Sequence, residues 1–334
     1  MPELRLNLIT KEWVIISTER AKRPEDFKTR RERKALPEIV DTCPFCPGNE
    51  SKTPGEVFRI SDDGGWKLRV VPNKFAALNR ETEKIRINDG YRHTITGFGF
   101  HDVLIETPVH NMPMALLPLN HVTDIVGAYK RRFIELYSDT RVGHVIIFKN
   151  HGEGAGTSLE HPHSQIVGTP VTPFQIRSRL EEAIRFFDIT GECLLCKTMS
   201  EEKKEGTRII LETNHFLTFN PYASLSPFHT WIFPKRHFAT FAEITEDEIS
   251  DLALNLRTTL AKFYFGLDNP DFNFVIRSNR PKDATSEFFH WYISIVPRLT
   301  MAAGFELGSG MFINTALPEE SAEFLRKVEA PEQP

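Results

Sequence analysis

The stretch His161-Pro162-His163-Ser164-Gln165 decides the fold assignment of this chain. In an extended segment alternate side chains share a face, so His161, His163 and Gln165 point the same way. A predicted strand, 143–148, precedes it, and the intervening loop, 150–158, contains three glycines, which let backbone N–H groups approach an anion closely. The pattern favours a phosphate site beside two imidazoles. A polar strand after a turn is the simpler interpretation of His-x-His alone.

The second half of the chain repeats the spacing of the first. Each half has a Cys-x-x-Cys pair followed by two histidines, which are Cys43, Cys46, His110 and His161, and then Cys193, Cys196, His237 and His290. The two histidines are 51 residues apart in the first half (161 − 110) and 53 in the second (290 − 237). Asn150 and Asn279 each precede the last histidine by 11 residues. Matching offsets predict duplication of one structural unit.

Two Cys2His2 sites explain all four cysteines of the chain economically. Zinc accepts thiolate and imidazole in a tetrahedral shell, and two zinc ions per chain are predicted, in structural sites with all four positions filled by protein. Disulfides would suit a secreted chain, but the polar N-terminus has no signal-peptide core. A redox role would need a thioredoxin-like context. His229 is the alternative to His237 as a ligand, and the spacing favours His237.

Composition predicts a cytoplasmic globular protein. The chain has 334 residues, of which 40% are hydrophobic, and this length and composition are enough to bury two cores. Its net charge is −4. It has no apolar run long enough for a membrane span, and its slightly acidic balance provides no broad surface for nucleic acid. The basic run 20–34 is typical of a solvated face, although its first part, 20–23, could contact phosphates.

The element pattern predicts an α+β fold made of two fused units, 1–175 and 176–334, with antiparallel sheets and helices packed on them. One main helix is expected in each half, at 122–136 and 249–263, with Thr245 and Glu248 forming a capping box before the second. Residues 200–207 are predicted to be a loop. The predicted strands are 11–17, 67–71, 102–106, 143–148, 164–168, 208–211, 216–219, 229–233, 272–276 and 291–296.

Five motifs, in this order, resemble the galactose-1-phosphate uridylyltransferase family of the histidine triad superfamily over nearly the whole chain. They are Glu12-Trp13-Val14-Ile15, Arg20-Ala21-Lys22-Arg23-Pro24, Cys43-Pro44-Phe45-Cys46, Asn73-Lys74-Phe75-Ala76-Ala77-Leu78 and the His-Pro-His stretch. The resemblance implies two histidine-triad-like units and a homodimer. It also implies that His163 is the nucleophile and His161 a zinc ligand, and that nucleotide is bound by Arg20, Arg23, Asn73, Asn150, Gly156, Ser158 and Gln165.

The chemistry fits those implied roles. A neutral imidazole can attack the α-phosphorus of a nucleoside diphosphate sugar and divide one transfer into two in-line steps. Phosphoryl transfer depends on positioning and charge stabilisation, for which the loop amides, the Ser158 hydroxyl and the Gln165 carboxamide are suited. In the second half Tyr292 and Ser294 replace the nucleophile and the carboxamide, so one catalytic half and one structural half are predicted.

The sugar-binding segment, 304–312, departs from the galactose-specific pattern. Glu306 is retained, whereas Phe305 stands in place of Tyr and Phe312 in place of Gln. This segment is similar to that of plant relatives that phosphorolyse ADP-glucose. Loss of a polar partner for a sugar hydroxyl shifts discrimination, because a buried unpaired hydroxyl costs about 1 to 3 kcal/mol.

The predicted function is therefore transfer of a nucleoside monophosphate, UMP by the resemblance, between UDP-hexose and hexose 1-phosphate through nucleotidyl-His163. An ADP-sugar phosphorylase is the alternative, since the sequence does not distinguish uracil from adenine. A catalytically silent, zinc-stabilised nucleotide-binding module is the alternative from another class.

Overall fold

The computed structural model describes residues 1–17, 24–27 and 36–331. Its strands are β1 Glu3–Leu6, β2 Trp13–Ile16, β3 Phe58–Asp62, β4 Gly65–Pro72, β5 Arg86–Asp89, β6 Arg92–Ile95, β7 Phe100–Ile105, β8 His144–His151, β9 His163–Thr169, β10 Ile209–Glu212, β11 Phe216–Phe219, β12 Thr230–Pro234, β13 Phe272–Arg277, β14 Tyr292–Pro297 and β15 Phe312–Asn314. Its α-helices are α1 Leu119–Tyr137, α2 Phe174–Thr190, α3 Leu194–Glu205, α4 Glu246–Gly266, α5 Gly304–Ser309 and α6 Pro318–Lys327.

Ten strands form one antiparallel sheet whose two halves have the same topology. The strand order is β10-β11-β12-β14-β13-β8-β9-β7-β4-β3. Read from the centre outward, β8-β9-β7-β4-β3 of the first half matches β13-β14-β12-β11-β10 of the second. The halves meet at β8 and β13, which pair antiparallel from Phe272 opposite His151 to Ile276 opposite Ile147. The predicted α+β fold with antiparallel sheets is confirmed.

Helices α1 and α4 pack on one face of this sheet and leave the other face for the site. Alternation assigns the side chains, because Ile166 on β9 and Phe274 on β13 belong to the core that these helices cover. Both helices have an apolar face. The predicted capping box of α4 is confirmed, with Thr245 accepting from the Glu248 amide and Glu248 accepting from the Thr245 amide.

The ten strands predicted from alternation are all present, with ends that differ by a few residues. The prediction of a loop at 200–207 was wrong, because α3 continues to Glu205 and ends at Gly206, which has a φ of 75°. Its polar surface concealed it, since only three of its residues are buried. A second sheet, β1-β2-β15, was not predicted as a unit, and its β15 pairs parallel with β2. None of the helices in the described part of the chain is long and apolar enough to cross a membrane.

Candidate active site and metal sites

The candidate nucleophile lies on the sheet face that the helices leave open. His163 is the first residue of β9, and Gln165 is two residues further along the same face. Ser164, between them, points the other way, where its hydroxyl contacts Tyr129 of α1 at 2.6 Å. His163 and Gln165 therefore lie on the same face of β9, as the alternation predicted.

Hydrogen bonding leaves one ring nitrogen of His163 open. Nδ1 lies 2.8 Å from the carbonyl oxygen of His161 and can only donate to it. In the neutral ring Nε2 then has the free lone pair that a nucleophile needs. Burial lowers the pKa of His163 below its usual range and the charge of Lys149 lowers it further, although the bond to His161 acts in the opposite direction. This shift favours the neutral imidazole.

A buried ion pair supports the backbone beneath His163. Lys149 donates to both carboxylate oxygens of Glu106, at 2.8 and 2.7 Å, and to the carbonyl oxygen of His163 at 3.1 Å. Ser164 also donates to Glu106. Both charged side chains are almost completely buried. Sequence analysis missed them; Glu106 is the last residue of the predicted strand 102–106, and Lys149 follows the end of the predicted strand 143–148.

His101 on β7 orients the Gln165 carboxamide. The amide N–H of Ala77 donates to His101 Nδ1 at 3.2 Å, so the neutral ring carries its proton on Nε2. That Nε2–H donates to Gln165 Oε1 at 2.7 Å. Asn73 Nδ2 lies 3.1 Å from the same nitrogen. The oxygen of Gln165 is thus engaged, and its NH2 group is available to a phosphate oxygen. His101 was missed because it lies 64 residues from Gln165 in sequence.

The glycine loop is held by Asp271 of the second half. Gly154 donates its amide to Asp271 Oδ2 at 2.7 Å, and Gly152, with a φ of 84°, leaves no room for a Cβ against the same carboxylate. The amides of residues 155, 156 and 157 donate to carbonyl oxygens within the loop. These four amides are therefore engaged within the protein. Among the described residues of this loop and of β9, Ser158, which is exposed at the edge of a groove of about 1030 Å³, and Gln165 have donor groups that face no protein acceptor.

The first Cys/His group has the geometry of a tetrahedral metal site. Cys43, Cys46, His110 and His161 are all buried, with their ligand atoms within 4.8 Å of one another. Cys46 Sγ lies 3.5 Å from Nδ1 of both histidines, and Cys43 Sγ lies 3.7 Å from that of His161. Zinc bond lengths and a tetrahedral angle give a sulfur–nitrogen separation of about 3.5 Å. His161 donates from Nε2 to the Thr107 carbonyl at 2.7 Å, which leaves Nδ1 for a metal.

The second group is less compact. Cys193, Cys196 and His237 lie within 4.8 Å of one another. His290 is outside that trio, although its Nδ1 is 3.2 Å from Cys196 Sγ. The alternative ligand, His229, is engaged elsewhere, with its Nε2 2.9 Å from Ser294 Oγ. The geometry favours His237, as the spacing did, and both groups could hold a metal.

The other residues predicted for the site lie on several elements. Arg20 and Arg23 are outside the described residues. Asn150 is the penultimate residue of β8, and the β8–β9 register, with Phe148 opposite Gln165, brings Asn150 opposite His163. Its Oδ1 accepts from Asn273 Nδ2 at 2.8 Å. Phe305 and Glu306 lie on α5, with Phe305 47% exposed and Glu306 accepting from the amide of Ala303. Glu306 and Phe312 line a cavity that Asn150 also lines.

Comparisons with known proteins agree with this architecture. Residues 1–173 match the family described as the N-terminal domain of galactose-1-phosphate uridyl transferase. An ADP-glucose phosphorylase of Arabidopsis thaliana is 39% identical, over 98% of this chain and 93% of its own length. A galactose-1-phosphate uridylyltransferase of Thermotoga maritima is 29% identical, over 98% and 99%. A crystal structure of the Arabidopsis thaliana ADP-glucose phosphorylase with bound ADP-glucose covers 99% of this chain and 100% of its own, at 34% identity and a TM-score of 0.83.

The fold, the site and these relatives define the class of protein, which is a transferase. More specifically, the chain belongs to the galactose-1-phosphate uridyl transferase family. The resemblance read from the five motifs is confirmed, and the predicted nucleotidyltransferase class is confirmed at the level of the family. The match reaches both halves, since the relatives align over 98% of the chain.

Proposed function

We propose that this chain transfers a nucleoside monophosphate from a nucleoside diphosphate sugar through a covalent intermediate on His163. The observation that most directly supports this proposal is the 2.8 Å hydrogen bond from His163 Nδ1 to the His161 carbonyl, which leaves Nε2 as the free nucleophile. In the first step Nε2 attacks the α-phosphorus. The bond from that phosphorus to the bridging oxygen breaks, and the sugar 1-phosphate leaves with its electron pair.

The second step reverses the attack with a different oxygen. A phosphate oxygen of the acceptor attacks the phosphorus, the phosphorus–nitrogen bond breaks, and its electron pair returns to His163. Gln165, positioned by His101, and the Ser158 hydroxyl would donate to the non-bridging oxygens, where charge develops during both steps. Asn73, Asn150, Gly156, Arg20 and Arg23 are proposed nucleotide contacts by the family resemblance, and Phe305 and Glu306 are proposed sugar contacts.

We propose zinc in both Cys/His groups, two ions per chain. Thiolates and imidazoles in tetrahedral spacing suit zinc, and four protein ligands fill a structural site. Backbone amides of Val40 and Phe45 donate to the sulfurs of the first group at 3.4 Å, which supports thiolates there. Zinc would fix the position of His161, and no step of the transfer uses it.

We propose UDP-hexose as the donor and hexose 1-phosphate as the acceptor, because several relatives are named uridylyltransferases.

A second candidate, phosphorolysis of an ADP-sugar, is favoured by a specific observation. Phe312, where galactose-specific relatives have Gln, packs with Val14 and Ile16 of the small sheet. Its ring offers no hydrogen bond to a hexose hydroxyl, and inorganic phosphate as acceptor needs none. The Arabidopsis thaliana relative with the higher identity carries the name ADP-glucose phosphorylase.

One product assay tests both candidates. The zinc-containing protein is incubated with UDP-glucose and galactose 1-phosphate, and separately with ADP-glucose and inorganic phosphate. Formation of UDP-galactose supports uridylyl transfer, and formation of ADP supports phosphorolysis. Absence of product in both mixtures would contradict both candidate reactions and favour the non-catalytic binding module.

Residues 1–175 and 176–334 are proposed as the two duplicated units, which the matching strand order of the halves supports. A homodimer and a cytoplasmic location stay predictions from the sequence.

A further inference from the structure

A cavity lies on the part of the sheet that corresponds, in the second half, to the catalytic face of the first, and Phe148 and Asn150 of β8 line its near side. Tyr292 begins β14 as His163 begins β9, and Ser294 follows two residues later, as Gln165 does. His229 lies beside Ser294 as His101 lies beside Gln165, but His229 Nε2 accepts from Trp231 Nε1 at 3.0 Å, so the Ser294 hydroxyl donates to it at 2.9 Å. The two positions are three strand spacings apart, which is about 14 Å or more.

This cavity, of about 340 Å³, is lined by arginines. Arg179 from α2 and Arg277 from β13 both reach it, together with the exposed Arg298. The Nε and Nη1 atoms of Arg179 are shielded from solvent and have no hydrogen-bond partner. Within residues 1–17, 24–27 and 36–331, neither Arg179 nor Arg277 forms an ion pair.

The nearby carboxylates do not compensate these charges. Glu12 attracts Arg277 without reaching ion-pair distance, and Glu306, at the rim, accepts from the backbone of its own helix. Burial lowers the pKa of Arg277 to about 10, and the charge of Arg179 contributes to the shift. Two guanidinium groups held together without an anion are unfavourable, whereas planar guanidinium groups bind phosphate oxygens in pairs.

We propose that this cavity is a second, non-covalent binding site for a dianionic phosphoryl group, carried by inorganic phosphate or by a sugar phosphate. Arg179 and Arg277 neutralise the charge, and the hydroxyl of Tyr292, which lines the cavity, donates to one of the remaining oxygens. Because Tyr292 replaces the nucleophilic histidine, the bound group is held and not transferred. The cavity has the size of small-molecule sites and accommodates a phosphate with an attached sugar. The inference does not depend on the proposed transfer activity.

The test uses the full-length, zinc-containing protein. Binding of inorganic phosphate and of glucose 1-phosphate is measured by calorimetry at constant ionic strength, with the parent protein, Arg179→Met and Arg277→Met. Arg185→Met is the matched control, because it removes an exposed charge from the same helix. The proposal expects one class of site to weaken about tenfold or more in the two cavity variants. The ligand bound more tightly by the parent protein identifies the natural source of the phosphoryl group.

Two further readings separate this site from the transfer site and from a structural role. His163→Ala must retain the cavity site, and Arg277→Met must still form a nucleotidyl adduct at His163 with undiminished yield. Without phosphate the melting temperature of Arg277→Met should equal or exceed that of the parent protein, because an unpaired buried charge has been removed. Unchanged isotherms in both cavity variants would overturn the proposal. A parallel loss of the His163 adduct would overturn it too, because the arginines would then serve the transfer site.

Discussion

His163 Nδ1 lies 2.8 Å from the carbonyl oxygen of His161, so a candidate metal ligand and the candidate nucleophile are joined by a single hydrogen bond. His161 is itself fixed on both sides, by the Thr107 carbonyl at Nε2 and by the two cysteines at Nδ1. The backbone carbonyl of a candidate metal ligand therefore leaves Nε2 as the free nitrogen of the neutral His163 ring. The stretch 161–163 therefore contains both the candidate metal ligand and the candidate nucleophile.

The Lys149–Glu106 pair predicts a large loss of stability on substitution. Lys149→Met leaves the Glu106 carboxylate buried without its counterion, which should lower the free energy of unfolding by about 3 to 5 kcal/mol. Urea titration measures this change. Lys203→Met, which breaks an exposed pair with Glu212, should cost less than about 1 kcal/mol. Adding Glu106→Gln to Lys149→Met should recover part of the loss, and no recovery would contradict the assigned pairing.

His101 is predicted to act as a positioning residue for Gln165. Gln165→Ala should reduce kcat of nucleotidyl transfer about 100-fold or more, as expected for loss of one donor to developing charge. His101→Ala should reduce kcat about tenfold with little change in KM, because Gln165 loses its fixed orientation.

The double variant distinguishes positioning from a general structural effect. If His101 acts through Gln165, then His101→Ala has no further effect on kcat once Gln165 is Ala. A full additional tenfold loss in the double variant would show that His101 acts by another route.

Zinc content is predicted to fall site by site. Elemental analysis of the parent protein should give about two zinc per chain, and Cys43→Ser and Cys193→Ser should each give about one. Cys43→Ser should also reduce nucleotidyl adduct formation, because His161 loses the metal that fixes its position. Cys193→Ser should leave adduct formation intact. Equal zinc in the parent protein and both variants would contradict the two-site assignment.

The capping box of α4 predicts a smaller effect on stability. Thr245→Ala removes the side-chain acceptor for the Glu248 amide and should cost about 1 kcal/mol in free energy of unfolding. Thr123→Ala, on the exposed side of α1, should change it by less than about 0.5 kcal/mol. A Thr245→Ala protein as stable as its parent would show that other contacts satisfy the helix start.

Local pattern was sufficient for much of this fold. Alternation located nine of the ten strands of the large sheet, all but β3, and the equal 11-residue offsets of Asn150 from His161 and of Asn279 from His290 indicated two copies of one topology. Pattern failed where burial is slight, as in α3, whose polar residues concealed a helix around Ser200. It also failed for β15, whose pairing with β2 joins distant parts of the chain.

The site was predictable only where residues are close in sequence or repeat between halves. His163 and Gln165 belong to one short motif, and each Cys-x-x-Cys pair indicates a metal site by its spacing. His101, Lys149 and Glu106 reach the site through strand pairing, which no short pattern encodes. The strand register also changes the comparison of halves, because Arg277 lies opposite Tyr292, so Arg277 and not Asn279 takes the place that Asn150 holds toward His163.

Intact-protein mass spectrometry tests the central claim most directly. The zinc-containing protein is mixed with UDP-glucose or ADP-glucose, without acceptor, beside His163→Ala and the control His151→Ala. The account predicts a mass increase of one UMP or one AMP in the parent protein and in His151→Ala, and none in His163→Ala. An adduct of undiminished yield in His163→Ala would contradict the assignment of His163 as the nucleophile.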